Sequence, residues 1–157
     1  MQGSSALVLY GLTEREGERL YISATLVGAG GVVANYHKMH LWWKEEGLRD
    51  ETRLYTPGDR LVTFDLRGVK SGVMICYDGD FPEMARSYAH LGCDILFWMN
   101  NRGSRGHKEV YLLAAQNSLI IAASCCCGPD EKGRICRGGS NITNYNAELL
   151  AEIWDKE

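Results

Sequence analysis

Residues 71–86 read SGVMICYDGDFPEMAR, and the order of residue types in this stretch sets how the rest of the chain is arranged. Val73-Met74-Ile75 is a short apolar run of the kind that forms a buried strand. Cys76 closes the run, and Tyr77, Asp78, Gly79 and Asp80 follow at once. Pro82 then stands where the first turn of a helix accepts proline, with Met84, Tyr88 and Leu91 spaced three or four apart behind it. A lone cysteine is most often a small buried hydrophobe. A thiol at the carboxyl end of a buried strand, just before a helix, instead occupies the place where open α/β sheets gather their chemistry.

Working outward, Ser5 to Thr13 predicts a strand that enters a polar turn, EREGER, and Leu20 to Gly28 predicts its hairpin partner. Gly28-Ala29-Gly30-Gly31 is glycine-rich enough to resemble a phosphate cradle, but a strand, Val32 to Tyr36, follows it rather than a helix, so it reads as a turn. Leu41 to Arg60 forms a long polar loop in which Trp42 and Trp43 are candidates to cover a core edge, and Leu61 to Leu66 is a short strand. After the helix over Phe81 to Leu91, Gly92 is placed as a C-terminal cap, and Cys93 to Met99 reads as a buried strand. The loop Asn100-Asn101-Arg102-Gly103 begins at that strand's carboxyl end, a place for substrate contacts as well as for an ordinary turn. Val110 to Asn117 reads as helix, Leu119 to Cys127 as strand, Gly128 to Gly139 as a charged loop, and Ile142 to Ile153 as a closing hairpin. The pattern is α/β, with helices covering a sheet.

With 157 residues, 45% of them apolar and 24% charged, the chain predicts a single domain, residues 1–157, of globular composition. A net charge of −3 without a basic cluster argues against nucleic acid and membrane surfaces as partners. The longest apolar run, Leu119 to Cys127, is far short of a membrane span, and Met1 to Tyr10 lacks the pattern of a cleaved leader. Cys125-Cys126-Cys127 alternate faces on a strand, no C-x-x-C pair exists, and His37 and His40 lack a thiol or acidic companion in spacing. The expectation is no metal, no cofactor, reduced thiols and a cytoplasmic protein.

Three segments together resemble the nitrilase superfamily of carbon–nitrogen hydrolases. Gly72 to Glu83 is similar to that family's cysteine strand, G-x-x-I-C-Y-D-x-x-F-P-E; Tyr36-His37-Lys38-Met39-His40-Leu41 resembles its Y-x-K-x-H-L segment; Glu51, followed by Pro57-Gly58-Asp59, resembles its second-glutamate loop. The likeness runs from about Val8 to Glu152. It implies an αββα sandwich and hydrolysis of a linear amide or N-carbamoyl compound through a cysteine thioester. It implies Cys76 as nucleophile, Lys38 and the Tyr77 backbone N–H as oxyanion donors, and Glu51 as the group that positions the lysine. Asn100 and Asn101 are the candidate substrate contacts. Tyr77-Asp78 stands where true nitrilases of the superfamily usually carry Trp-Glu, which points away from nitriles.

The family's general base is a glutamate well upstream of the lysine. Here Glu14, Glu16 and Glu18 fall in the expected polar turn, where the family does not put its base. The resemblance therefore implies an internal part of a longer hydrolase, inactive by itself, without the first βα units and the C-terminal tail. It also implies a homodimer or higher oligomer, assembled through the helices beside the cysteine strand. Two other readings compete: a non-catalytic scaffold that keeps the fold for assembly, and a nitrilase.

Overall fold

Three strands open the chain and form an antiparallel meander: β1 (Val8–Glu16), β2 (Arg19–Gly28) and β3 (Gly31–His37). The computed structural model describes residues 6–43, 50–101, 108–129, 133 and 135–154. Residues 44–49 of the long loop, Arg102 and Gly103, and parts of the charged loop lie outside the described residues.

The expected polar turn EREGER is mostly strand. Glu14 pairs with Tyr21, Arg15 with Leu20 and Glu16 with Arg19, so only Gly17 and Glu18 turn. Gly17 has φ +60° at the first of two central positions, where a two-residue hairpin of primed type takes glycine. Polarity mimicked a loop because one face of this sheet is itself polar.

A larger sheet follows, built from β4 (Thr63–Leu66), β5 (Val69–Ile75), β6 (Ile95–Asn100), β7 (Ile120–Cys125), β9 (Ile135–Thr143) and β10 (Leu149–Trp154) in the order β10-β9-β7-β6-β5-β4. The short β8 (Cys127–Pro129) pairs with β9 alone. Strands β5, β6 and β7 are parallel, and the helices α1 (Pro82–His90) and α2 (Lys108–Asn117) make the crossovers. Two expectations need correction here. The run Leu119 to Cys127 is β7, a break at Cys126 and the first residue of β8, and the charged loop holds the rest of β8 and about half of β9, because β-pairing rather than hydropathy fixes these strands.

Side-chain alternation sets the layers. Gly72 of β5 faces the Tyr88 ring of α1 and pairs with Leu96 of β6, so the helices cover the Leu96 and Trp98 face. On the other face Met99 reaches Gly11 of β1, and Phe97 stacks with Phe64 at 6.1 Å. The described residues thus make three layers: helices, large sheet, small sheet. Ala24, Leu26 and Tyr36 join Val73, Met74, Leu96, Leu119 and Ile121 in one buried core. An apolar cavity of about 530 Å³ lies between the sheets, walled by Leu9, Leu26, Phe97, Met99, Ile142 and Ile153; neither Cys76, Lys38 nor Glu51 lines it. No described helix is long and apolar enough to cross a membrane.

Candidate active site

The parallel strand β5 runs buried to Ile75 and ends in a 3₁₀ turn, Cys76–Asp80. Cys76 sits at the break with φ +47°, a left-handed backbone that a non-glycine residue rarely holds without support. Support comes from the next strand: Trp98 Nε1 donates to the Cys76 carbonyl at 3.0 Å. The indole lies so close that a Cβ on Gly79 would stand 2.1 Å from it, which explains a glycine inside the turn. Tyr88 of α1 braces the strand from behind, its hydroxyl donating to the Val73 carbonyl at 2.6 Å. Tyr77 is the second residue of the turn, a position whose backbone N–H has no acceptor within the helical segment.

Lys38 follows β3 directly. Its N–H donates to Ile22 of β2 and its carbonyl accepts from Gly58, both at 2.8 Å. The close approach requires glycine at 58, since a Cβ there would stand 2.1 Å from the His37 carbonyl oxygen. The lysine side chain is 1% exposed, and its Nζ lies 2.5 Å from Glu51 Oε2. Burial of an ammonium is tolerated only with such a partner. Glu51 is placed by a short 3₁₀ segment, Glu51–Arg53, which Asp50 caps by accepting from the Thr52 N–H. The Glu51 carboxylate also accepts from the Trp42 N–H at 2.7 Å. Trp42 is half-buried, its ring edge-on to Tyr77 at 4.9 Å, whereas Trp43 is 57% exposed.

The two segments are stitched together by Asp78, which is 0% exposed. Its Oδ2 accepts from the Ile75 N–H at 2.9 Å and from the Tyr36 hydroxyl at 2.8 Å. Its Oδ1 accepts from the His40 N–H at 2.8 Å and meets His40 Nδ1 at 3.0 Å. The His40 ring stacks on Phe81 at 3.8 Å. Burial, and then the neighbouring Asp78 charge, push the Tyr36 phenol well above its ordinary range, so it stays a donor.

Asn100 follows Met99, the partner of Ile75 in the parallel ladder, and so ends its strand at the level of Cys76. Its side-chain oxygen is buried and takes no hydrogen bond. Asn101 Oδ1 accepts from Cys126 Sγ at 3.0 Å. Burial first, then Cys136 beside it, push the Cys126 thiol up to about 11.

Glu14, expected in a turn, lies within β1 and accepts from Ser23 at 2.7 Å, Asn35 at 2.8 Å and His37 at 3.0 Å, all at one oxygen. The Asn35 hydrogen bond above all, opposed by burial and aided by Ser23 and His37, holds this carboxyl below the usual glutamate range. A carboxylate so supplied with donors is a poor proton acceptor at neutral pH. Glu14, Glu16 and His37 also bring ligand atoms within 4.8 Å of one another, but Glu14 and His37 already bond each other.

Reading the sequence singled out Lys38, Glu51 and Cys76, and the structure joins the first two directly and ties their segment to the turn of the third. It overlooked Asp78, Tyr36, His40 and Trp98 as the stitching. The available signal was a carboxylate two residues beyond the cysteine, at a helical start, where acidic side chains take up backbone N–H groups.

Comparison with known proteins gives a consistent picture. The family described as Carbon-nitrogen hydrolase matches residues 4–157. An (R)-stereoselective amidase of Pseudomonas sp is 34% identical over 149 residues, covering 92% of this chain and 52% of its own. A nitrilase of Pyrococcus abyssi is 32% identical over 151 residues, covering 96% and 55%. A mutant of the Nesterenkonia AN1 amidase from the nitrilase superfamily shares the fold with a TM-score of 0.85 at 24% identity, over 96% of this chain and 58% of that one. In another mutant of that amidase, the acetamide moiety of fluoroacetamide is covalently added at the active site cysteine. The chain spans somewhat more than half the length of these relatives.

Proposed function

The chain belongs to the carbon–nitrogen hydrolase family, and on that premise we propose that its site cleaves the C–N bond of a linear amide or N-carbamoyl compound through a thioester on Cys76. The observation that carries the reading is the buried Lys38–Glu51 pair on a segment hydrogen-bonded, through Asp78, to the cysteine turn. In the proposed reaction the Cys76 sulfur attacks the amide carbon, and its proton passes to a base and then to the leaving nitrogen. The C–N bond breaks as ammonia or an amine departs, and water attacks the thioester to release the acid and restore the thiol. The oxyanion formed in both steps is met by the Lys38 ammonium and the Tyr77 N–H, donors that need no reorganisation. Glu51, 2.5 Å from the Lys38 Nζ, aims the lysine.

The base is the glutamate that the family resemblance places upstream; Glu14, with its three donors, does not fill the role. A reduced nucleophile fits a cytoplasmic setting. Association through α1 with a second copy belongs to the same proposal.

The test is twofold. Fluoroacetamide, an amide-shaped electrophile, should add to Cys76 ahead of the exposed Cys127, the thiolate displacing fluoride as the S–C bond forms. Ammonia or amine release from a panel of amides, N-carbamoyl amines and nitriles, run on the whole protein, then ranks substrates. Labelling of Cys127 before Cys76, or preference for nitriles, overturns the reading.

A further inference from the structure

We infer that Asp78 is a positioning residue that sets the distance between nucleophile and oxyanion lysine and holds a hydrogen on His40 Nδ1; the inference rests on the function proposed above. The argument is one of donors and acceptors. Each oxygen of the Asp78 carboxylate takes one backbone N–H and one side-chain donor: Ile75 N–H with the Tyr36 hydroxyl on Oδ2, His40 N–H with His40 Nδ1 on Oδ1. A carboxylate that accepts four hydrogen bonds offers no hydrogen, so His40 Nδ1 carries the one between them. Three of the four donors come from residues 36–40, the segment that holds Lys38, and the fourth precedes Cys76.

These bonds are not those of a simple cap. Only the Ile75 bond is local, three residues away; the others span 38 and 42 residues of sequence. Cys76 meanwhile holds φ +47°, and the bonds that bracket it are Ile75 N–H to Asp78 before it and Trp98 to its own carbonyl. Loosening Asp78 therefore releases one side of a strained nucleophile turn and the lysine segment together. The Tyr36 hydroxyl extends the clamp, since it also accepts from the Met39 N–H at 3.3 Å, next to Lys38.

Asp78→Asn is the informative change. An amide has one oxygen and one NH₂, and each side of the site presents a backbone N–H that cannot reverse, so either orientation sets NH₂ against N–H. A misplacement on the scale of an ångström lowers turnover by roughly 10²-fold. In the whole protein, Asp78→Asn should therefore reduce kcat per folded molecule by about that factor, with KM changed far less, and slow fluoroacetamide addition at Cys76 in parallel. Tyr36→Phe, which deletes one donor and keeps the ring, should lose about tenfold, the weight of one hydrogen bond.

Nitrogen NMR of His40 reads the clamp independently of activity: protonated Nδ1 in the wild type, and loss of that fixed protonation in Asp78→Asn. Wild-type kcat and Cys76 labelling in folded Asp78→Asn overturn the inference. If Asp78→Asn does not fold, wild-type turnover in Tyr36→Phe overturns it and the tenfold loss supports it. If wild-type Cys76 is inert to both amide and fluoroacetamide, the proposed function falls instead. The clamp is then judged on the wild-type spectrum, where a protonated Nδ1 sustains it and an unprotonated Nδ1 overturns it.

Discussion

Truncating Glu51 should destabilise the protein for a reason that removing Lys38 as well partly repairs, while activity stays lowered whenever the lysine is gone. Lys38 is 1% exposed and its ammonium lies 2.5 Å from Glu51 Oε2, whereas the glutamate side chain is 24% exposed. Removing one member of a buried ion pair destabilises by about 3–5 kcal/mol, because the survivor is left charged and desolvated. The partial exposure of Glu51 admits water to the lysine once the glutamate is gone, which places Glu51→Ala near the lower end, about 3 kcal/mol. About 1 kcal/mol of that belongs to the Trp42 N–H, which loses its acceptor in the same substitution.

Lys38→Met removes the buried charge and leaves Glu51 partly hydrated and still bonded to Trp42, so it should stay within about 1 kcal/mol of wild type. The double variant should then be only about 1 kcal/mol less stable than Lys38→Met, giving a coupling of about 2 kcal/mol. Urea unfolding followed by tryptophan fluorescence supplies all four free energies. For a chain of this size the Glu51→Ala effect corresponds to a melting point lower by roughly 6–12 °C. Turnover should fall by roughly 10²–10³ in Lys38→Met and in the double variant alike, since an oxyanion donor is gone from both. Glu51→Ala within about 0.5 kcal/mol of wild type, or a double variant as unstable as the sum of the singles, refutes the reasoning.

Three further outcomes follow from single contacts. Gly79→Ala forces a methyl into the Trp98 indole at 2.1 Å and should destabilise by about 1–3 kcal/mol, with Trp98→Phe in the same chain recovering part of it in urea melts. Because the folded-state value of Glu14 is lowered, its stabilisation is present above the ordinary value of 4.5 and is lost as pH falls through the lowered one. Glu14→Gln should therefore weaken the protein at pH 7 and converge with wild type in acid, and a constant gap down to the acid limit would contradict this. Cys126, its thiol pushed up to about 11, should alkylate at pH 8 well after the exposed Cys127, as peptide mass spectrometry would show.

What the sequence alone determined was everything that depends on local residue order. The apolar run before Cys76, the proline behind it and the spacing of Met84 and Tyr88 placed strand, turn and α1, and Gly92 with φ +79° ends that helix as a cap. The order of the lysine, glutamate and cysteine segments carried the family. Sequence misjudged the hairpin at Glu14 to Glu16 and the strands at β8 and β9. There, polar residues are paired by a neighbouring strand, and period and polarity do not report pairing.

Tertiary structure alone decided how the site is assembled. Nothing local to Asp78 says that its carboxylate will accept from Tyr36 and His40, about 40 residues earlier, and nothing local to Lys38 says that it will be buried on Glu51. Those choices follow from burial: once the small sheet packs on the large one, each desolvated charge and donor must find its partner inside. The partners within reach are set by the stacking of sheets rather than by the order of the chain.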